Sequence, residues 1–575
     1  MTPENPGTVP ELRSGEWWRD AVVYQIYPRS FADGDGDGTG DIAGIISRLD
    51  HVVELGVDAI WISPWYPSPL ADGGYDVADY RDIDPRFGTL AQADELIEAA
   101  HGRGLRVIID LVPNHSSDEH PWFRAALAAG QGSPERDRYI FRDGRGDNGE
   151  LPPNNWRAMF GGPAWERVVG PEGPEQWYLH FFDVKQPDWN WENPEVVAEF
   201  DSILRFWFDR GVDGFRVDVA DSLIKEAGLP DVTELDAHGQ PSVAKYPGSP
   251  MWDQPSLADI QRRWRAIADE YADTELGPRI FVSEAYLSPA SRLAAYVEPG
   301  RFHTTFNFDA LLCEWTPASQ RHVITQTLEA HAAVDAACTW VLGNHDNVRV
   351  ASRFGKSITG VPFDASGTAQ EVPGYEREDT LGIPTDAALG RRRARAAALL
   401  ELALPGGAYV YQGEELGLPE VEDLPESALQ DPTWERSGHT LRGRDGCRVP
   451  IPWSGTSSPF GFGDGDAEPW LPMPDWSEHS VEAQTSDPNS FWTLYRSALA
   501  QRRQNPALGD GTLTWTSEPA GPEVVDFTRE PGFRCIVNFG APVALPEGEV
   551  LLASEALEGD MLGTDQAVWL RVPEV

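Results

Sequence analysis

Between Ala21 and about residue 415 the chain alternates short apolar runs of β type with longer helical patterns, and this rhythm constrains the fold more than any other feature. The runs are Val22 to Tyr27, Ala59 to Ile62, Val107 to Leu111, Gly214 to Val219, Ile280 to Ser283, His303 to Phe306, Thr339 to Leu342 and Ala408 to Tyr411, eight in all. Strands separated by helical crossovers are the signature of βα units around a parallel sheet. Between the second and third runs, Gln92 to His101 places Leu96, Ile97 and Ala100 on one helix face and stops at Gly102 and Gly104. Eight such units predict an α/β protein built on a (β/α)8 TIM barrel, with functional residues at the C-terminal ends of the strands.

Two stretches break the rhythm. From His115 to about Tyr178 the sequence is rich in Gly, Pro, Trp and Asn, far longer than the roughly 2 to 6 residues of an ordinary βα loop. It predicts a lid domain, residues 116–178, inserted after the third strand. The barrel then takes residues 1–115 and 179–505, with a Pro- and Gly-rich rim subdomain at about 417–474. The tail, 506–575, offers short β runs such as Glu523 to Phe527, Cys535 to Val537, Val550 to Leu552 and Ala567 to Val572. These predict a small antiparallel β-sandwich.

The charge balance narrows the partners. Lys and Arg number 46 against 92 Asp and Glu, a formal net charge of -46, which repels nucleic acid and anionic membrane alike. The four cysteines, Cys313, Cys338, Cys447 and Cys535, lie far apart without CxxC spacing, so neither a zinc ribbon nor a disulfide framework is expected. The start, MTPENPGTVPELRSGEWW, lacks a basic segment followed by an apolar run, and no stretch approaches ~18 consecutive apolar residues. The sequence reads as a soluble, cytoplasmic protein.

Three of the strands end in an acidic residue: Asp218 in GFRVDVA, Glu284 in FVSEAY and Asp346 in GNHDN. One barrel end thus collects three carboxyls, and retaining glycoside hydrolysis needs two of them, a nucleophile and a proton donor. Arg216 precedes Asp218 by two residues and so points to the same side of the strand, where it can keep that carboxylate ionised. Glu284 has no basic neighbour in sequence, so burial among like charges is expected to raise its affinity for a proton, as a general acid requires.

In order, DLVPNH (Asp110 to His115), QPDWN (Gln186 to Asn190), GFRVDVA, SEAY and NHD resemble the motifs of the α-amylase superfamily of glycoside hydrolases, and within it the α-glucosidase and oligo-1,6-glucosidase group. The similarity runs from about Trp17 to Trp453 and weakens beyond. The resemblance implies that Asp218 is the nucleophile, Glu284 the acid/base and Asp346 the transition-state stabiliser. It also implies that His115 and His345 hold the sugar of the central subsite. In GGYDVADY, Tyr75 can stack on a pyranose face and Asp76 can accept hydroxyl hydrogen bonds. In similar enzymes the matching aspartate joins an arginine of an RDxxRTPMQW segment to clamp the terminal sugar. Here that segment reads RDGCRVPIPW, Arg444 to Trp453, with Val449 and Ile451 departing from the pattern; Arg448 is the first choice for the clamp and Arg444 the second.

The segment FADGDGDGTGD spaces Asp33, Asp35, Asp37 and Asp41 with glycines and leaves Thr39 to offer its carbonyl. Oxygen ligands in this pattern suit a hard cation, Ca²⁺ or Mg²⁺. Its twelfth position is Gly44, so it is no EF-hand, and the resemblance implies a structural ion away from the chemistry. The expected activity is that of a retaining, exo-acting α-glucosidase acting on short oligosaccharides or α-glucosides. A transglucosylase, or a trehalose- or sucrose-isomerising enzyme, is the alternative within the same family.

Overall fold

The computed structural model describes residues 12–573 apart from 171–172, 237–238, 363–379, 466, 518 and 522; most of the N-terminal stretch read above for a leader lies outside the described residues. Eight strands form one parallel sheet: β1 (Val22–Ile26), β2 (Ala59–Ile62), β3 (Arg106–Leu111), β4 (Gly214–Val217), β5 (Ile280–Ser283), β6 (Thr304–Thr305), β7 (Thr339–Val341) and β8 (Gly407–Tyr411). The ladder order is β7-β8-β1-β2-β3-β4-β5-β6, so β8 returns to β1 and each strand lies beside its sequence neighbour except at the two ends, β6 and β7. That circular order is the barrel topology.

Side-chain alternation sorts the strands into two cores. Along β3, Val107, Ile109 and Leu111 pack outward with the large helical layer, whereas Ile108 joins Val23, Ala59, Trp61, Val282, Val341 and Tyr409 inside. The same period turns Asp110 of β3 and Arg216 of β4 inward, above this apolar plug. The fourth strand is shorter than the apolar run suggested. It stops at Val217, because Val219 takes a left-handed conformation (φ 43) and gives its N–H to Glu284 at 3.1 Å instead of to a ladder. For a β-branched residue this backbone is strained.

Helices cover the sheet: α1 (Ile42–Leu55), α2 (Leu90–His101), α3 (Pro194–Asp209), α4 (Leu257–Asp269), α5 (Pro317–Ala332), α6 (Ala387–Ala403) and α7 (Phe491–Gln504) are the longer ones. The helix expected from Gln92 begins two residues earlier, at Leu90, capped by Thr89, whose hydroxyl accepts from the Gln92 N–H. After β3 the chain leaves the barrel to build a three-stranded antiparallel sheet from Phe141–Arg142, Trp165–Gly170 and Gly173–Leu179. It is pinned to the barrel mouth by Asp188, which meets the Lys225 ammonium at 2.9 Å and accepts from Phe181 N–H at 2.7 Å.

At the C-terminus the β region is a five-stranded antiparallel sheet with a separate two-stranded ribbon. One sheet face, with Phe527, Phe533, Cys535 and Trp569, joins the main core, where the Trp569 indole donates to the Leu399 carbonyl of α6 at 2.9 Å. The other face, with Val524, Ile536, Val568 and Leu570, packs against Leu562 of the ribbon. All four cysteines are buried free thiols. No helix among the described residues is long and apolar enough to cross a membrane.

Candidate active site

Arg216, projecting inward from β4, organises the catalytic end. One terminal nitrogen bonds Asp110 at 2.8 Å and Asp218 at 2.7 Å, and the other meets Glu284 at 2.7 Å. Asp110 is locked from the far side by the Trp61 indole at 3.0 Å and the Tyr75 hydroxyl at 3.3 Å. Asp218 stands one residue past its strand, its N–H donating to Leu111 O, and Glu284 one residue past β5, its N–H donating to Val217 O, both at 2.9 Å. The parallel ladder therefore delivers both carboxyls to the same level.

Their protonation differs from the expectation drawn from adjacency in sequence. Arg216 reaches across to Glu284 as well as to Asp218. Burial first, and the Glu284 carboxylate second, push the Asp218 carboxyl well above its ordinary range despite the guanidinium. For Asp218 the lost hydration and the neighbouring like charge outweigh the guanidinium.

Asp346 follows β7. Burial opposes its ionisation, yet His345, Arg444 and Arg448 together hold its carboxyl well below the usual range. Both arginines touch its Oδ1 at 3.0 Å, and the His345 Nε2 lies 3.3 Å from Oδ2. His345 stacks on Tyr75 at 5.2 Å with an interplanar angle of 3° and receives Gln25 on Nδ1 at 2.7 Å. Burial lowers its pKa to about 3, and that of His115 to about 4, so both imidazoles are neutral. His115 lies against the Tyr75 carbonyl and the Gln186 amide, each at 3.1 Å. Tyr75 is thus wedged between His345 and Asp110, and only 5% of it remains exposed for a sugar face.

The structure pairs other side chains than the Asp76 and Arg448 expected for the clamp. Asp76 is fully buried and faces its own loop: it accepts from Ser68 Oγ at 2.9 Å and from the N–H groups of Ala71 at 2.9 Å and Asp72 at 3.0 Å. Burial raises its pKa to about 7 against those bonds. The aspartate that meets an arginine is Asp72, whose Oδ1 takes Arg444 at 2.6 Å while Oδ2 takes Gln186 at 3.0 Å. Arg444, the second choice, is thus the arginine that meets an aspartate of this loop. Arg448 turns instead to Asp346 and to the His345 carbonyl, 2.9 Å from its Nε. Spacing in the sequence could not separate them, because the reach of each guanidinium depends on the 3₁₀ turn Asp445–Cys447 between them.

Several participants carried no sequence signal of their own. Asp431, buried in the rim, accepts both the backbone and the side-chain Nε of Arg444 and lies 4.0 Å from Arg448. Gln186 sits within the QPDWN motif and links Asp72 to His115. In total Asp72, Asp110, Asp218, Glu284, Asp346 and Asp431 surround Arg216, Arg444 and Arg448. This excess of carboxyls over guanidiniums favours a cation forming between them.

The acidic loop lies apart, where the rim closes over the β1 exit: Asp33 N–H donates to Phe462 O at 2.8 Å and Trp470 N–H to Gly38 O at 2.9 Å. Asp33, Asp35 and Asp37 bring carboxylate oxygens within 4.8 Å of one another. Asp41 falls outside that group. Its Oδ1 caps α1, accepting from Gly44 N–H at 2.6 Å and from Gly34 N–H at 3.1 Å. Thr39 donates its N–H to Asp37 at 2.8 Å. Three converging carboxylates at the end of a polar loop fit a hard divalent cation.

The model of the alpha-amylase catalytic domain matches residues 25–364 and 382–511. A probable alpha-glucosidase of Rhizobium meliloti is 37% identical over 92% of this chain and 91% of its own length. An oligo-1,6-glucosidase of Parageobacillus thermoglucosidasius is 35% identical over 94% of each. Among solved structures, the alpha-glucosyl transfer enzyme XgtA superposes with a TM-score of 0.81 at 35% identity, covering 97% of this chain and 99% of that one. With a barrel, a lid insertion and three strand-end carboxyls in place, the chain belongs to the α-amylase family of glycoside hydrolases, in its α-glucosidase and oligo-1,6-glucosidase group.

Proposed function

We propose that this glycoside hydrolase is a retaining, exo-acting α-glucosidase that removes terminal non-reducing glucose from short oligosaccharides or α-glucosides. The observation that carries this reading is the single guanidinium of Arg216 shared by Asp218 and Glu284. That sharing supports a nucleophile and a proton donor acting at one anomeric centre. The reaction requires Glu284 to carry a proton toward the glycosidic oxygen and Asp218 to be the ion. Asp218 attacks the anomeric carbon as Glu284 gives its proton to the departing alkoxide, leaving a β-glucosyl-aspartate. Glu284, now a carboxylate, takes a proton from water as its oxygen attacks the same carbon, and α-glucose leaves with Asp218 restored.

Asp346, held ionised, supports the positive charge that spreads over the ring carbon and oxygen in both steps. Neutral His115 and His345 bind sugar hydroxyls without adding charge. Asp72 with Arg444 closes the pocket where a longer chain would continue, which supports exo-action. Asp33, Asp35 and Asp37 would hold one Ca²⁺, or Mg²⁺, with the Thr39 carbonyl and Asp41 as further oxygen donors; the ion would brace the first βα connection and the rim. Four free thiols suit a cytoplasmic setting.

Proton NMR of the first product decides the stereochemistry: α-glucose must appear before mutarotation. Initial release of β-glucose refutes the double displacement. The likeness to an alpha-glucosyl transfer enzyme favours one second reading, transfer of the glucosyl group to a sugar or alcohol hydroxyl in place of water. Chromatography of the products from maltose, isomaltose, sucrose and trehalose, with and without an added alcohol, separates transfer from hydrolysis.

A further inference from the structure

A second concavity, of about 430 Å³, opens at the opposite end of the barrel, beside the starts of β1 and β3 and the end of α7. Its wall inverts the charge balance of the protein. The chain carries 46 basic residues against 92 acidic ones, yet the wall has Arg13, Arg103, Arg502 and Arg503 against Asp20 and Asp58. Most of the remaining lining is aliphatic or glycine, so charges there are poorly screened.

Arg13 pairs with Asp20 and, at 3.4 Å, with Asp58, whereas the buried Arg502 and Arg529 bond no carboxylate among the described residues. Arg502 is buried and, among the described residues, bonds only to backbone carbonyls, those of Leu402, Leu404, Gly406 and Asp20, while its Nε has no partner. Arg529 lies behind it and likewise meets only carbonyls, of Ala403, Gly509 and Asp510. Burial, then the Arg502 charge, lowers its pKa to about 10. Neither guanidinium bonds a carboxylate directly, although Asp20, Asp58 and Glu401 act on Arg502 from a distance and Asp510 and Asp20 on Arg529; a bound anion would add to that partial compensation. At the mouth, Arg13, Arg103 and Arg503 keep 39%, 36% and 58% of their side chains exposed. Arg103 gives Nε to Asp50 and Nη1 to Ala99 O, and Arg503 gives Nη2 to Asp58 and to the carbonyls of Gly56 and Val57.

We propose that this cavity is a binding site for a small phosphate-bearing anion, no larger than a hexose phosphate, separate from the catalytic pocket. Guanidiniums arriving from three chain segments match the several oxygens of a phosphate group, and the volume lies within the range of small-ligand pockets.

The test measures binding of inorganic phosphate and of glucose 6-phosphate by calorimetry and thermal unfolding, against potassium chloride at equal ionic strength. Wild type should gain several degrees of Tm from millimolar phosphate, and Arg103→Gln/Arg503→Gln should bind at least ten-fold more weakly while hydrolysing an aryl α-glucoside at the wild-type rate. Tighter binding of glucose 6-phosphate assigns the site to a phosphomonoester; equal binding assigns it to free phosphate. Should the double variant fold poorly, Arg503→Gln alone, altering the most exposed of the three, still must weaken binding. Absence of a phosphate-specific shift in wild type, or the same shift in wild type and variants, overturns the proposal.

Discussion

Replacing Asp72 by alanine tests the exo-clamp at the residue that the fold puts in place. Asp72 holds Arg444 at 2.6 Å and Gln186 at 3.0 Å, and Arg444 keeps Asp346 and Asp431 when Asp72 is lost. The arginine thus stays charged and anchored, and the variant removes chiefly the carboxylate. An α-1,4 chain would extend through the 4-oxygen, so the group blocking that exit faces the 4-hydroxyl. A hydrogen bond from this hydroxyl to a carboxylate contributes about 1.5 to 3 kcal/mol, or roughly 10- to 150-fold in kcat/KM. The assay compares an aryl α-glucoside with its 4-deoxy analogue in wild type and Asp72→Ala. Wild type should penalise the deoxy sugar by that factor, and the variant by less than about three-fold on the same scale. Asp76→Asn is the control. It should destabilise the loop by about 1 to 3 kcal/mol yet retain the discrimination. The argument fails if Asp72→Ala still discriminates as wild type does, or if Asp76→Asn abolishes the effect instead.

Asp218→Asn should abolish turnover with the fold intact, and Glu284→Gln should lose far more activity on disaccharides than on a glucoside with an acidic phenol, since only an alcohol leaving group needs the proton; equal losses would point to another acid. Beneath β8, the buried Glu414 accepts from the Tyr495 hydroxyl at 2.7 Å, and burial raises its pKa to about 8. The folded chain therefore keeps a proton that the unfolded chain releases near the ordinary glutamate value. Its contribution to stability is full below that value and is lost progressively up to about pH 8, at about 1.4 kcal/mol per pH unit. Urea midpoints of Glu414→Gln against wild type between pH 5 and 8.5 should diverge in favour of the variant as pH rises, and parallel profiles contradict this. Chelation should lower Tm if the acidic loop holds an ion, by an amount set by the occupancy, with about 2.7 kcal/mol lost for an ion held at one hundred times Kd. Val219→Thr, β-branched like valine and so equally able to hold the strained backbone, should shift the isomaltose-to-maltose ratio of kcat/KM toward maltose by up to about 10-fold; an unchanged ratio removes Val219 from linkage choice.

The strands and the strand-end positions of Asp218 and Glu284 were legible because they follow from local rules. A parallel strand buried on both faces is mostly apolar along its length, and the next residue past β4 or β5 is at the barrel mouth. The charge state was less legible, since Arg216 reaches Glu284 across a ladder that adjacency in sequence does not display. The clamp shows the stronger limit. Asp72 and Arg444 are 372 residues apart, and which of two aspartates meets which of two arginines depends on loop backbone. Asp76 is consumed in folding its own turn, and it holds the N–H of Asp72, whose carboxylate meets Arg444 and Gln186. Asp431 does the corresponding work for Arg444 from the rim. Asp72 and Arg444 thus each have a buried partner that fixes them. A motif that records the contact residue and its support side by side, such as an aspartate four positions from another, cannot by itself say which is which; that distinction lies in where the hydrogen bonds of the turn are spent.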